Sequence, residues 1–239
     1  MERIVENGLG SIRVGLEDYE QADKDENDSR LTSSVRNVYA GILILAKAKL
    51  YELSPPDSSG VLIRVLRPKL IDRNIKLARV PDKTIGYDDI KKRFAHCGLT
   101  LDWTKVERMQ SIRNDLEHFY YGGTRSNVQE ALADAAFVIR ELMTVLNLDP
   151  IRDLGERWWN IMLQNERLFY EELYKRIETF SRVCWINGTA EAASKLFSCR
   201  NCGSILIGQV DKTNVEQDDI RVVCGACGSE MEIRELMEG

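Results

Sequence analysis

Apolar residues recur at Ile4, Val5, Leu9, Ile12, Leu16 and Tyr19, close to the 3.6-residue period of a helix. The acidic stretch EQADKDENDS (20–29) then reads as a loop. Ser29 or Thr32 can cap a second helix, which runs to about Leu53 and is stopped by SPPDSSG. That helix is apolar on more than one face (Val35, Tyr39, Ile42, Leu45, Leu50), which places it at the centre of a bundle. A short helix is predicted over 86–98, closed by Gly98. Another covers 104–121, with Val106, Met109, Ile112, Leu116 and Phe119 on one stripe and Gly122 and Gly123 at its end. The next, over 126–149, opens on Ser126 and repeats apolar residues at Leu132, Ala136, Ile139, Leu142, Val145 and Leu146. Pro150 marks a boundary, and residues 155–188 predict one long amphipathic helix. Its stripe (Trp158, Met162, Phe169, Leu173, Ile177, Phe180) suits a core or a dimer interface.

The pattern breaks between the second and third helices. Residues 60–83 have β-branched character and contain Pro68 and Pro81, so they form an excursion, part loop and part strand. They hold seven Lys or Arg against Asp72 and Asp82. Such a run is either a solvated mixed-charge loop or a phosphate-tracking rim. In the second case Arg64, Arg67, Lys69, Arg73 and Lys76 are the candidate RNA-binding residues.

Composition narrows the class. The chain has 239 residues, 44% hydrophobic and 30% charged, enough for one large or two modest domains. A net charge of −5 argues against non-specific coating of nucleic acid but leaves room for a local basic site. The longest apolar run, YAGILILAKAKL (39–50), falls short of a membrane span and is broken by lysines. The start, MERIVENGLG, lacks the basic and apolar regions of a secretion signal, so the expected location is cytoplasmic with no membrane partner.

Four of the six cysteines form Cys199-x2-Cys202 and Cys224-x2-Cys227, in the knuckles CRNCGS and CGACGS. A two-residue spacer lets one tight turn supply two thiolates, and the following glycine tolerates its positive φ. Short β-type runs lie between and after the knuckles, the pattern of a zinc ribbon that holds one structural zinc per chain. Disulfides are the alternative and require an oxidising compartment. Cys97 and Cys184 stand alone and are expected to be small buried residues, and His96 a capping or half-buried one.

Catalytic chemistry is sparse. No glycine-rich phosphate loop or Ser/His/Asp arrangement is present. The candidate is SIRNDLEHFYYGG (111–123), where Arg113 and His118 lie about 140° apart around a helix and Asn114 sits one turn before His118. Such polar residues can simply be a solvated face flanking a buried stripe.

SSVRNVYAGILILAKAKL and RNDLEHFYYGG together resemble a HEPN domain, a helical-bundle family of prokaryotic ribonucleases, toxins and phage-defence proteins. The resemblance covers residues 1–149. Its R-x4-H signature is filled by Arg113, the polar Asn114 and His118, and the longer R-x4-H-x-Tyr form by Tyr120, an accessory or modification site. The basic excursion and the cysteine knuckles lie outside the minimal domain. The resemblance implies a HEPN-like bundle (1–149), and the patterns beyond it add a helical connector (150–195) and a zinc ribbon (196–239), making a mainly α protein. It also implies a homodimeric, metal-independent endoribonuclease, with Arg113, Asn114 and His118 catalytic and an antitoxin or activator protein as a further partner. Two other classes stay open: a non-catalytic HEPN-like dimer that binds RNA or protein through a zinc-ribbon adaptor, and a ribbon-centred DNA-binding regulator. The last is disfavoured by the acids around the knuckles.

Overall fold

The computed structural model describes residues 1–25, 28–58, 60–71, 74–118, 125–194 and 197–237. Helices α1 (Glu2–Asp25) and α2 (Asp28–Glu52) form an antiparallel pair. The predicted 20–29 loop is mostly helix, because buried Tyr19 and Ala22 carry the α1 stripe a turn further, opposite Leu31. Glycines bring the two backbones together. A methyl on Gly41 would stand 2.7 Å from the Gly8 carbonyl oxygen, and one on Gly15 would stand 2.7 Å from that of Ser34. α2 is the central helix. Its Val35, Ile42, Leu45, Ala46 and Leu50 are fully enclosed, and it packs on α1, α3 (Tyr87–His96), α4 (Trp103–His118) and α5 (Arg125–Val145).

The excursion is an antiparallel hairpin, β1 (Arg64–Ile71) and β2 (Asn74–Thr84). Its base is fixed where Arg93 of α3 donates to the carbonyls of Leu62 (2.8 Å) and Arg64 (3.3 Å) and Lys47 of α2 to Thr84 (3.1 Å).

α5 stops at Val145, four residues before the predicted 149. Asn147 turns left-handed (φ 55°), and its N–H and that of Leu148 close the helix onto Thr144 and Met143. Asp149 then caps a π-helical turn (Pro150–Gly155), accepting from the Arg152 N–H at 2.7 Å. That turn is bound to α1, where Arg13 donates to the carbonyls of Leu154 (3.0 Å) and Asp153 (2.6 Å).

α6 (Glu156–Glu178) is shorter than the expected 155–188 helix. Thr179 ends it. Its hydroxyl donates to the Arg176 carbonyl (2.6 Å) and accepts the Gln209 N–H (2.9 Å), while its carbonyl accepts the Gln209 side chain (2.8 Å). A later strand takes the acceptor that another helical turn would need, and the next helix is the short α7 (Gly188–Ser194). Along α6, Trp159 and Met162 enter the bundle core. Phe169 and Leu173 meet Ala133 and Leu206. Just beyond it, Phe180 enters a third cluster.

The third cluster belongs to a three-stranded antiparallel sheet in the order β3 (Ile207–Gln209), β4 (Arg221–Cys224), β5 (Glu230–Glu232). Its core is Phe180, Val183, Phe197, Ile207, Ile220, Val222 and Ile233. The run after the second knuckle was expected as strand throughout. It is strand only to Glu232 and continues as α8 (Ile233–Met237). Among the described residues, no helix is long and apolar enough to cross a membrane.

Candidate functional site

The two knuckles converge. Cys199 lies 3.6 Å from Cys227 and Cys202 lies 3.7 Å from Cys224, sulfur to sulfur, and all four sulfurs fall within 4.8 Å of one another. A tetrahedral ion with bonds of about 2.3 Å needs sulfurs about 3.8 Å apart, so the set could hold a metal ion. Each knuckle turns through a left-handed glycine, Gly203 (φ 69°) and Gly228 (φ 73°). The Gly203 N–H donates to the Cys199 carbonyl at 2.7 Å and that of Gly228 to the Cys224 carbonyl at 2.9 Å. Hydrogen bonds from Cys202 and Cys224 hold the Cys199 thiol down, and the same crowding pushes the Cys202 thiol up. A cation among the sulfurs is what lets all four ionise together. Cys199 and Cys224 are buried, Cys202 and Cys227 half-buried.

The lone cysteines differ from expectation. Cys97 is half-buried, and Cys184 is exposed in a single β-bridge to Glu216, its N–H donating to the Val215 carbonyl (2.8 Å). His96 closes α3 and is exposed.

The polar motif occupies the last turns of α4. Arg113 and Asn114 are half-buried, and Arg113 Nη1 donates to Asn114 Oδ1 at 2.9 Å. His118 is the final residue of α4, but its side chain, like Tyr120 and the rest of 119–124, lies outside the described residues. Burial raises the Asp115 carboxyl. The Tyr39 hydroxyl on α2 is buried and has no hydrogen-bond partner among the described residues. Burial pushes it up to about 12, against the pull of the Arg113 charge.

The basic candidates separate. Arg67, Lys69 and Lys76 are exposed on the hairpin. Arg64 is half-buried at its base, with Nε enclosed and without a hydrogen-bond partner among the described residues. Arg73 lies outside the described residues.

A buried charge network joins α4, α5 and the first knuckle, and periodicity gave no sign of it. Arg108 clasps Asp134 at 2.6 and 2.5 Å, and Lys105 reaches Asp134 and the Tyr170 hydroxyl, each at 3.3 Å. Burial lowers the Lys105 ammonium, but Asp134 and Tyr170 outweigh it and its pKa is raised. Glu130, fully enclosed, accepts the Ile205 N–H at 3.2 Å and lies 3.5 Å from Arg108. Its second oxygen meets no hydrogen-bond geometry among the described residues. Burial pushes the carboxyl up to about 7, against the opposing pull of Ser204, Arg108 and the Ile205 N–H. Through Glu130 the cysteine unit touches the helix pair that carries Arg113.

Compared with protein-family models, with curated proteins and with solved structures, the chain has no significant match.

Proposed function

We propose that the chain is a HEPN-type endoribonuclease that works as a homodimer without a catalytic metal, as a toxin or in antiviral defence, with a C-terminal zinc ribbon holding one structural zinc. The reading rests on one observation: the motif arginine and its asparagine stand half-buried side by side at the end of α4, the guanidinium held by the amide.

RNA supplies its own nucleophile. His118 of one protomer accepts the 2′-OH proton as the oxygen attacks phosphorus. The bond from phosphorus to the 5′ oxygen breaks, and the partner's His118 returns a proton to the leaving oxygen. The products are a 2′,3′-cyclic phosphate and a 5′-hydroxyl end. Arg113 stays charged and grips the non-bridging oxygens, while Asn114 fixes its orientation. Four thiolates close the coordination sphere of a zinc ion, so the ribbon is structural.

The test is incubation of purified protein with mixed RNA in EDTA, wild type beside His118→Ala and Arg113→Ala, with product ends mapped. Cyclic-phosphate ends from the wild type alone are expected, with either substitution slowing cleavage by at least ~10²-fold. Equal cleavage by His118→Ala would sink the mechanism. The exposed basic hairpin favours a second reading, a non-catalytic RNA-binding dimer. That reading predicts RNA retained uncut.

A further inference from the structure

The hairpin β1–β2 is sided. Residues directly opposite each other in an antiparallel pair share a face, and faces alternate along each strand. The register sets Leu66 opposite Arg79 and Pro68 opposite Leu77, on the face that also takes Ile75. It sets Arg67 opposite Ala78 and Lys69 opposite Lys76 on the other. One face is therefore largely apolar, with Ile75 78% and Leu77 69% exposed. The other carries three exposed cations. None of the three has an ion-pair partner among the described residues. Arg79, on the apolar face, is occupied at the base, donating to the Ser58 carbonyl at 2.6 Å.

Lys69 and Lys76 face each other directly. Like charges in that relation destabilise a hairpin, so the pair weakens the element that bears it. An anion lying across both ammonium groups reverses the penalty. Arg67 follows on the same face about 6.8 Å along the strand. Three cations at fixed, strand-length intervals match a polymer of regularly spaced phosphates.

We propose that the Arg67–Lys69–Lys76 face binds the phosphodiester backbone of a nucleic acid. The proposal deepens the ribonuclease reading and rests on it only for the choice of RNA over DNA. A bilayer is the other extended polyanion, and the hairpin fits it less well. Residues 64–84 contain no aromatic residue to anchor an apolar face at a membrane interface, and headgroups in a fluid layer have no fixed spacing for a rigid triad to match.

The experiment measures binding alone. Full-length protein carrying His118→Ala is titrated into a fluorescein-labelled single-stranded 20-mer RNA in EDTA, from 50 to 200 mM salt. Adding Arg67→Ala, Lys69→Ala and Lys76→Ala together is expected to cut the slope of log affinity against log salt by about 2, the release of three counterions at ~0.7 each. Lys69→Glu is the sharper variant. It turns a repelling cross-strand pair into an attracting one, so thermal stability should hold or rise while RNA affinity falls about tenfold. Either of three results overturns the proposal: a parent that does not bind RNA, a triple variant with unchanged affinity and slope, or a loss confined to vesicles of phosphatidylserine and phosphatidylcholine. The wild-type cleavage assay is separate. A protein that binds through this face and does not cut RNA would refute the nuclease and leave the interface standing.

Discussion

Glu130 has a folded pKa near 7, well above a free glutamate, because it is fully enclosed. The folded state therefore holds a proton that the unfolded chain releases at lower pH. The stability that proton carries is complete below the unfolded value and is lost as pH rises through about 7. Glu130→Gln keeps an oxygen for the Ile205 N–H and never ionises. It should flatten the slope of Tm against pH between 5 and 8 and leave the variant more stable than wild type at pH 8, by an order of ~3 kcal/mol. Thermal melts across that range decide it. An unchanged slope would mean that Glu130 is ionised throughout. Tyr39 offers a second test. Its orphaned hydroxyl costs stability, so Tyr39→Phe should raise Tm by a few degrees, about 1 kcal/mol. Neither residue was legible beforehand. Tyr39 read as one more apolar position of α2, and the apolar repeat that marks α5 passes over Glu130. What encloses Glu130 includes Ser204 and Ile205, more than seventy positions away, and helical period says nothing about contacts at that range. The cysteine cluster was legible because its chemistry is local: two residues between ligands and a glycine at each turn.

Glycine in a helix ordinarily weakens it, and replacement by alanine stabilises by about 0.5–1 kcal/mol. α1 and α2 contain a matched pair that should give opposite signs. Gly10 of α1 has open space where a methyl would go. Gly41 of α2 has the Gly8 carbonyl oxygen at 2.7 Å and Ile12 Cγ1 at 2.5 Å. Gly10→Ala should raise the denaturation midpoint. Gly41→Ala should lower stability by about 1–3 kcal/mol through overpacking. Denaturant titrations of the two side by side check the close approach, and two shifts of the same sign would refute it. Helix existence was legible from apolar spacing, and helix ends were not. α6 stops at Thr179 because Gln209 takes its carbonyl, a partner thirty residues on. The hairpin was legible as an excursion only, since its two faces depend on a register that the mixed Leu, Ile, Lys and Arg run does not specify.

At the scale of the molecule, the cysteine unit leans on both α5 and α6. Ile205 binds Glu130, Gln209 binds Thr179, and the Arg176 guanidinium lies over Gly225, where a methyl would meet it at 2.8 Å. Stripping an ion held by the four cysteines would therefore be felt beyond the knuckles. Chelation is expected to release one ion per chain and to raise hydrogen exchange across 197–237, with a smaller rise in α5 around Glu130. Mass-resolved exchange reads this, and an α5 unchanged while the knuckles open would show the junction to be passive. The path of α6 also bears on how the chain is born. Arg13 leaves the ribosome 140 residues ahead of Asp153 and 141 ahead of Leu154, whose carbonyls it binds. Glu130 emerges into water as an ordinary carboxylate and stays one until Ser204 and Ile205 follow. The nascent chain thus carries an unfinished bundle until the cysteine unit follows, and that unit, folding around whatever ion the four cysteines take up, sets the moment at which α5 is sealed.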